Sequence, residues 1–221
     1  MTVDQLLATL LAAFAPAVPA QSSATAAAEA RRPPIVQRPI PYGAERKRQM
    51  AAYSQRHYGH RHARLSEVKV IVEHYTVTRT FSAAWNTFAA NARDPELGEL
   101  PGVCAHFIVD RDGTIYQLVP LNLMCRHTIG LNDRSIGIEQ VGMSAAEILA
   151  RPSQRRAIVR LSAWLRCRYD VAMTDLIGHA MSLSSPWHHE RVAALRNRTH
   201  GDWTAAELRP VRREIDEIAC P

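Results

Sequence analysis

Val68-Lys69-Val70-Ile71-Val72-Glu73-His74 is the stretch from which the fold can be read. Its β-branched residues are stiff at the first side-chain torsion and favour extended backbone. The apolar positions run on instead of alternating with polar ones, so both faces are expected to be covered, as in a central strand. Residues 135–141 repeat the pattern, and residues 175–178 give a shorter version. Residues 82–93 read as a helix with Ser82 at its N-cap. Residues 153–169 read as an amphipathic helix with Ile158, Leu161 and Leu165 on one stripe, and residues 204–219 as a closing helix capped by Thr204. Residues 104–110 and 114–119 flank Arg111-Asp112-Gly113 and read as a β-hairpin, because Asp-Gly supplies the positive φ angles of a tight turn. Strands alternating with helices, plus one hairpin, predict an α/β fold: a single domain whose central mixed β-sheet is flanked by helices.

The charge is unevenly spread. The chain of 221 residues carries a formal charge of +6, yet residues 31–64 hold nine Arg and Lys against Glu45 alone. Residues 65–221 balance 18 basic against 18 acidic side chains, which makes nucleic acid a poor main ligand. Residues 21–64, rich in Pro, Ala and Arg, read as a basic linker with one helix at 44–58, suited to loose contact with an anionic surface. The folded domain is expected to span 65–221. Residues 1–20 contain an apolar run ending in Pro16-Ala17-Val18-Pro19-Ala20, which resembles a secretory signal and predicts export to periplasm or cell wall. No segment approaches the length of a membrane span. Cys104, Cys125, Cys167 and Cys220 form no CxxC pair; in an exported protein they are expected to pair as Cys104–Cys125 and Cys167–Cys220, the alternative being four buried thiols.

Three histidines stand where ordered segments end: His74, His179 in Leu176-Ile177-Gly178-His179, and His200 in Thr199-His200-Gly201-Asp202-Trp203. Imidazoles placed where buried strands reach a cleft suit a metal, and three such ligands with one open position describe a hydrolytic zinc site. Asp202 competes with His200 for the third place, since carboxylate oxygen also binds zinc. Glu139 ends an otherwise apolar strand, a costly position for a carboxylate unless it faces a polar cleft. His106 reads as a wall histidine, while His57, His60 and His62 read as solvated surface.

The order of these motifs resembles the zinc-dependent N-acetylmuramoyl-L-alanine amidases, relatives of phage amidase lysozymes and peptidoglycan recognition proteins. It is carried by Val72-Glu73-His74-Tyr75-Thr76, by Ala105-His106-Phe107 running on to Tyr116-Gln117, by Arg126-His127-Thr128-Ile129-Gly130, by Ser135-Ile136-Gly137-Ile138-Glu139 and by the His179 and His200 motifs. The resemblance implies one Zn2+ per chain on His74, His179 and His200, with Asp202 the alternative, and Glu139 as general base. It implies Tyr75, Arg126 and His127 on the substrate side and peptidoglycan or a muropeptide as substrate; a monomer is expected. Where the family often carries Lys, this chain has Arg198, which can steady an oxyanion but effectively never deprotonates. The leaving amine's proton must then come from Glu139, His127 or water. Two rival readings remain: a non-catalytic peptidoglycan-binding module on the same fold, and a protein whose basic arm at 31–64 binds polyanions.

Overall fold

A computed structural model describes residues 29–221; the expected signal segment lies outside them. The elements run β1 (Val36–Gln37), α1 (Ala44–His57), β2 (Val70–Tyr75), α2 (Phe81–Ala89), β3 (Phe107–Val109), β4 (Ile115–Gln117), β5 (Ser135–Gln140), α3 (Ala145–Leu149), α4 (Pro152–Tyr169), β6 (Leu176–Gly178) and α5 (Ala205–Asp216). The sheet order is β1-β4-β3-β5-β2-β6. Only the β3/β4 hairpin is antiparallel, so the sheet is mixed as expected. β2 lies between β5 and β6 and is buried on both faces until Tyr75.

Side chains on a strand alternate between faces. One face of the sheet packs Ile71, Ile136 and Ile138 against Ile158, Leu161 and Leu165 of α4 and Leu208, Val211 and Ile215 of α5. The other face carries His74 and Glu139, side by side in the β2/β5 register, and this is the face that opens into a cleft. Both expected disulfides form, with Cα atoms 5.3 and 5.2 Å apart, inside the usual range. Among the described residues, no helix is long and apolar enough to cross a membrane.

Two expectations need correction. The α2 N-cap is Thr80, whose hydroxyl accepts from the Ala83 N–H, and not Ser82. More consequentially, residues 29–64 are built into the fold and are not a linker. β1 pairs with β4, the Ala30 N–H donates to the Ala219 carbonyl, and Met50 and Tyr53 of α1 are fully buried. Arg46 is buried too, donating to the carbonyls of Phe88 at 2.7 Å and of Gly102 and Val103 at 3.1 Å. His57, expected on the surface, is completely enclosed, its Nδ1 2.8 Å from Glu190 and its Nε2 2.9 Å from Glu99. Burial alone would lower the His57 pKa, but the two carboxylates outweigh it and raise it. The other eight cations of residues 31–64 stay exposed.

Candidate active site

Three chain segments deliver the central trio. His74 stands one residue from the end of β2, His179 follows β6 directly, and Asp202 lies in the loop before α5. Their donor atoms meet. His74 Nδ1 is 3.1 Å from His179 Nδ1 and 3.1 Å from Asp202 Oδ2, and His179 Nδ1 is 3.1 Å from Asp202 Oδ1. Two ring nitrogens facing each other can share only one proton, whereas a cation between them would engage both lone pairs. Donors about 2.0–2.1 Å from a tetrahedral zinc lie about 3.3 Å apart, so both the spacing and the donor types fit that metal.

The sequence favours His200 as the third member; the geometry brings Asp202 there instead. His200 stacks on the His179 ring with 5.0 Å between centroids and turns its Nε2 to Glu96, 3.2 Å away at the rim. The physical reason lies in the loop. The Ala180 N–H holds the Asp202 carbonyl at 2.9 Å, and Trp203 has a left-handed backbone with φ 52°, which together turn the Asp202 carboxylate inward.

His74 is held from behind. Its Nε2 faces His127 Nδ1 at 3.1 Å; His127 Nε2 meets Ser135 Oγ at 3.2 Å, and that hydroxyl donates to the Leu131 carbonyl at 2.7 Å. The proton pattern is self-consistent when His127 is neutral, and burial together with the neighbouring His74 does hold its pKa well below the usual histidine range. Gly137 makes this possible, since a Cβ there would sit 2.6 Å from the His127 ring. His127 orients His74 and also lines the cleft, the side on which the sequence reading places it. Arg126 lines the cleft as well, with its guanidinium donating to the Glu99 and Pro101 carbonyls and pairing with Asp94 at 2.9 Å. Tyr75 does line the cleft, edge-on to Trp203. Arg198 does not line it; its guanidinium pairs with Glu96 at 2.8 Å, half exposed. His106 is a buried wall histidine, as expected.

Glu139 shares the cleft with the trio, and its Oε2 is shielded from solvent without a hydrogen-bond partner among the described residues. Burial pushes its pKa up to about 7, opposed by the charge on His74. Burial also works against the Asp202 carboxylate, but hydrogen bonds from His179 and His74 outweigh it and hold its pKa well below the carboxylate range. Burial holds His179 down at about 4, against the Asp202 hydrogen bond, which raises it. An ionised carboxylate, a neutral imidazole and a proton acceptor with an affinity near neutrality thus converge on a cavity of about 680 Å³.

Sequence reasoning missed the opposite wall, formed by residues 92–97 and by Tyr53 of α1. Asp94-Pro95-Glu96-Leu97-Gly98 is recognisable as a turn, and Asp94 Oδ1 indeed accepts from the N–H groups of Glu96 and Leu97. Nothing in that composition points to a cleft.

The profile of the family described as N-acetylmuramoyl-L-alanine amidase matches residues 64–200. No curated protein matches the chain. Among solved structures, the N-acetylmuramoyl-L-alanine amidase LysC from Clostridium intestinale URNW is similar at TM-score 0.52 and 22% identity, over 85% of this chain and 100% of that one. Staphylococcus aureus hydrolase AmiA, solved in complex with its ligand, is similar at TM-score 0.53 and 17% identity, over 85% of this chain and 83% of that one. These two likenesses concern the fold, while the profile match spans more than half of the sequence. The chain belongs to the N-acetylmuramoyl-L-alanine amidase family.

Proposed function

We propose that the protein is a zinc-dependent hydrolase that cuts the amide between the lactyl group of N-acetylmuramic acid and the L-alanine of the stem peptide. The observation that carries this reading is the convergence of His74, His179 and Asp202 beside the unpartnered Oε2 of Glu139 in one cleft. His74, His179 and Asp202 would hold one Zn2+, which when bound supplies a Lewis acid for the scissile carbonyl and acidifies water to near neutrality. Glu139 takes the attacking water's proton on its carboxylate, whose proton affinity burial raises towards neutrality, where a general base is effective. It returns that proton to the amide nitrogen as the C–N bond breaks, and the new lactyl carboxyl group then loses its own proton, leaving a lactyl carboxylate and a protonated stem-peptide amine. Arg198 is assigned no step, because Glu96 holds it at the rim.

Two disulfides support an oxidising, exported setting, periplasm or cell wall. The eight exposed cations of residues 31–64 favour anionic wall polymer on the way to the site. The test is stem-peptide release from purified muropeptides, measured with the protein as prepared, after chelation, and after zinc is restored. Release that chelation abolishes and zinc restores is expected; no release in any of the three would sink the proposal. Glu139→Gln separates enzyme from binding module, because it should keep muropeptide binding while hydrolysis falls by about 10²–10⁴-fold.

A further inference from the structure

Behind the cleft, on the opposite face of the sheet, lies a second polar layer. Glu73, Ser162, Gln140 and Trp203 are each completely buried. The Ser162 hydroxyl donates to Glu73 Oε1 at 2.5 Å, and Gln140 Nε2 donates to Glu73 Oε2 at 2.5 Å and to the Ile138 carbonyl at 3.2 Å. The indole N–H of Trp203 donates to Gln140 Oε1 at 2.6 Å. The indole N–H can only donate, which turns the Gln140 amide oxygen toward it and leaves the Gln140 NH2 for Glu73 and the Ile138 carbonyl.

Three of the four members of this layer, all but Ser162, are chain neighbours of site residues. Glu73 precedes His74, Gln140 follows Glu139, and Trp203 follows Asp202. Gly178, which precedes His179, completes the set by contact: a Cβ there would lie 1.7 Å from the Trp203 carbonyl oxygen. Alternation along β2 and β5 explains the pairing, since a residue facing the cleft has its neighbour on the far face. Trp203 keeps a left-handed backbone, unfavourable for a side chain of its size, and its indole hydrogen bond helps hold it there.

We infer that Glu73, Gln140 and Trp203 are positioning residues that lock the segments carrying His74, Glu139, His179 and Asp202 into register, and so set the affinity of the site for its metal. This rests on the zinc reading above. Removing the indole N–H strands the Gln140 oxygen and frees the Trp203 backbone to relax, which moves the Asp202 carboxylate one residue away. Outer partners of metal ligands typically contribute 10–100-fold in affinity.

The experiment uses the full chain, stripped of metal, and titrates zinc in competition with a chromophoric chelator. Visible spectra with Co2+ report coordination. Trp203→Phe and Gln140→Met should each weaken zinc by about 10–100-fold and alter the cobalt spectrum, with native far-ultraviolet circular dichroism. Gln154→Met is the control. Gln154 is equally buried and donates to the Val109 and Val141 carbonyls, but it adjoins no site residue; its loss should lower the unfolding midpoint and leave zinc affinity unchanged. A folded Trp203→Phe or Gln140→Met protein with zinc affinity within twofold of wild type would overturn the inference. So would a Gln154→Met protein that loses as much zinc affinity as they do. Wild-type protein that takes up no zinc would instead refute the metal reading itself, and this inference with it.

Discussion

Arg46→Met tests whether the segment ahead of the family match is structurally part of the domain. The guanidinium caps the end of α2 at the Phe88 carbonyl and clamps Gly102 and Val103, the far end of the loop that forms the cleft wall. Carbonyls in the last turn of a helix have no partner within it, and a cation there is favoured by the helix dipole. Three carbonyls stripped of a charged donor cost roughly 1–3 kcal/mol each. Against that, Met relieves the burial of an ion whose pKa burial has lowered to about 10, an offset of about 3 kcal/mol. The balance centres on a loss of about 3 kcal/mol, which for a domain of this size is a fall in Tm of roughly 6–12 °C. Arg46→Lys should recover less than half, since a point charge on a flexible stem cannot fork to three carbonyls. Denaturant unfolding followed by fluorescence and calorimetry reads both variants. A Met variant within about 0.5 kcal/mol of wild type, the scale of an ordinary surface change, or full rescue by Lys would refute the clamp.

Asp202→Ala should abolish stoichiometric zinc uptake while His200→Ala keeps it, as measured by metal analysis after dialysis; the reverse result would return the third place to His200. For His57→Gln the sign follows from a histidine pKa raised in the fold: its stabilisation is complete below about 6.5 and fades as pH rises through the folded value. The variant should therefore lose more stability at pH 6 than at pH 9, and a loss that grows with pH would contradict the assignment. Val77 is a β-branched residue with φ 49° and is 59% exposed, so Val77→Asn should relieve strain and stabilise by about 1 kcal/mol. An unchanged or lower Tm would argue against strain at that position.

The fold was readable wherever regular elements carry apolar patterns. The run ending at His74, the β5 segment, the Asp-Gly hairpin and the stripe on α4 all fall where the pattern puts them. The start of α2 was ambiguous because Thr80 and Ser82 both offer a hydroxyl on either side of Phe81, and the choice depends on which one reaches the Ala83 N–H. The incorporation of α1 was hidden for a different reason. Besides Met50 and Tyr53, its inward groups are the polar Arg46, Ser54 and His57, and a cation whose partners are carbonyls and carboxylates distant in sequence leaves no hydrophobic period to detect.

The same division runs through the site. His74 and Glu139 sit on paired strands, so their meeting follows from register, and His179 is fixed by the strand before it. The third member lies on a loop, where His200 and Asp202 are separated by one glycine and residue type alone does not choose between them. The choice is made by the backbone turn at Trp203 and its contact on Gly178, and these depend on residues whose side chains face away from the cleft. Glu73 is an acid inside an apolar run, but the network that holds it, Ser162 and Gln140 directly and Trp203 through Gln140, comes from distant parts of the sequence. A buried carboxylate without partners would be too costly to keep. Glu73 therefore implies a polar network on the far side of the sheet, although the identity of that network emerges only when the strands are laid side by side.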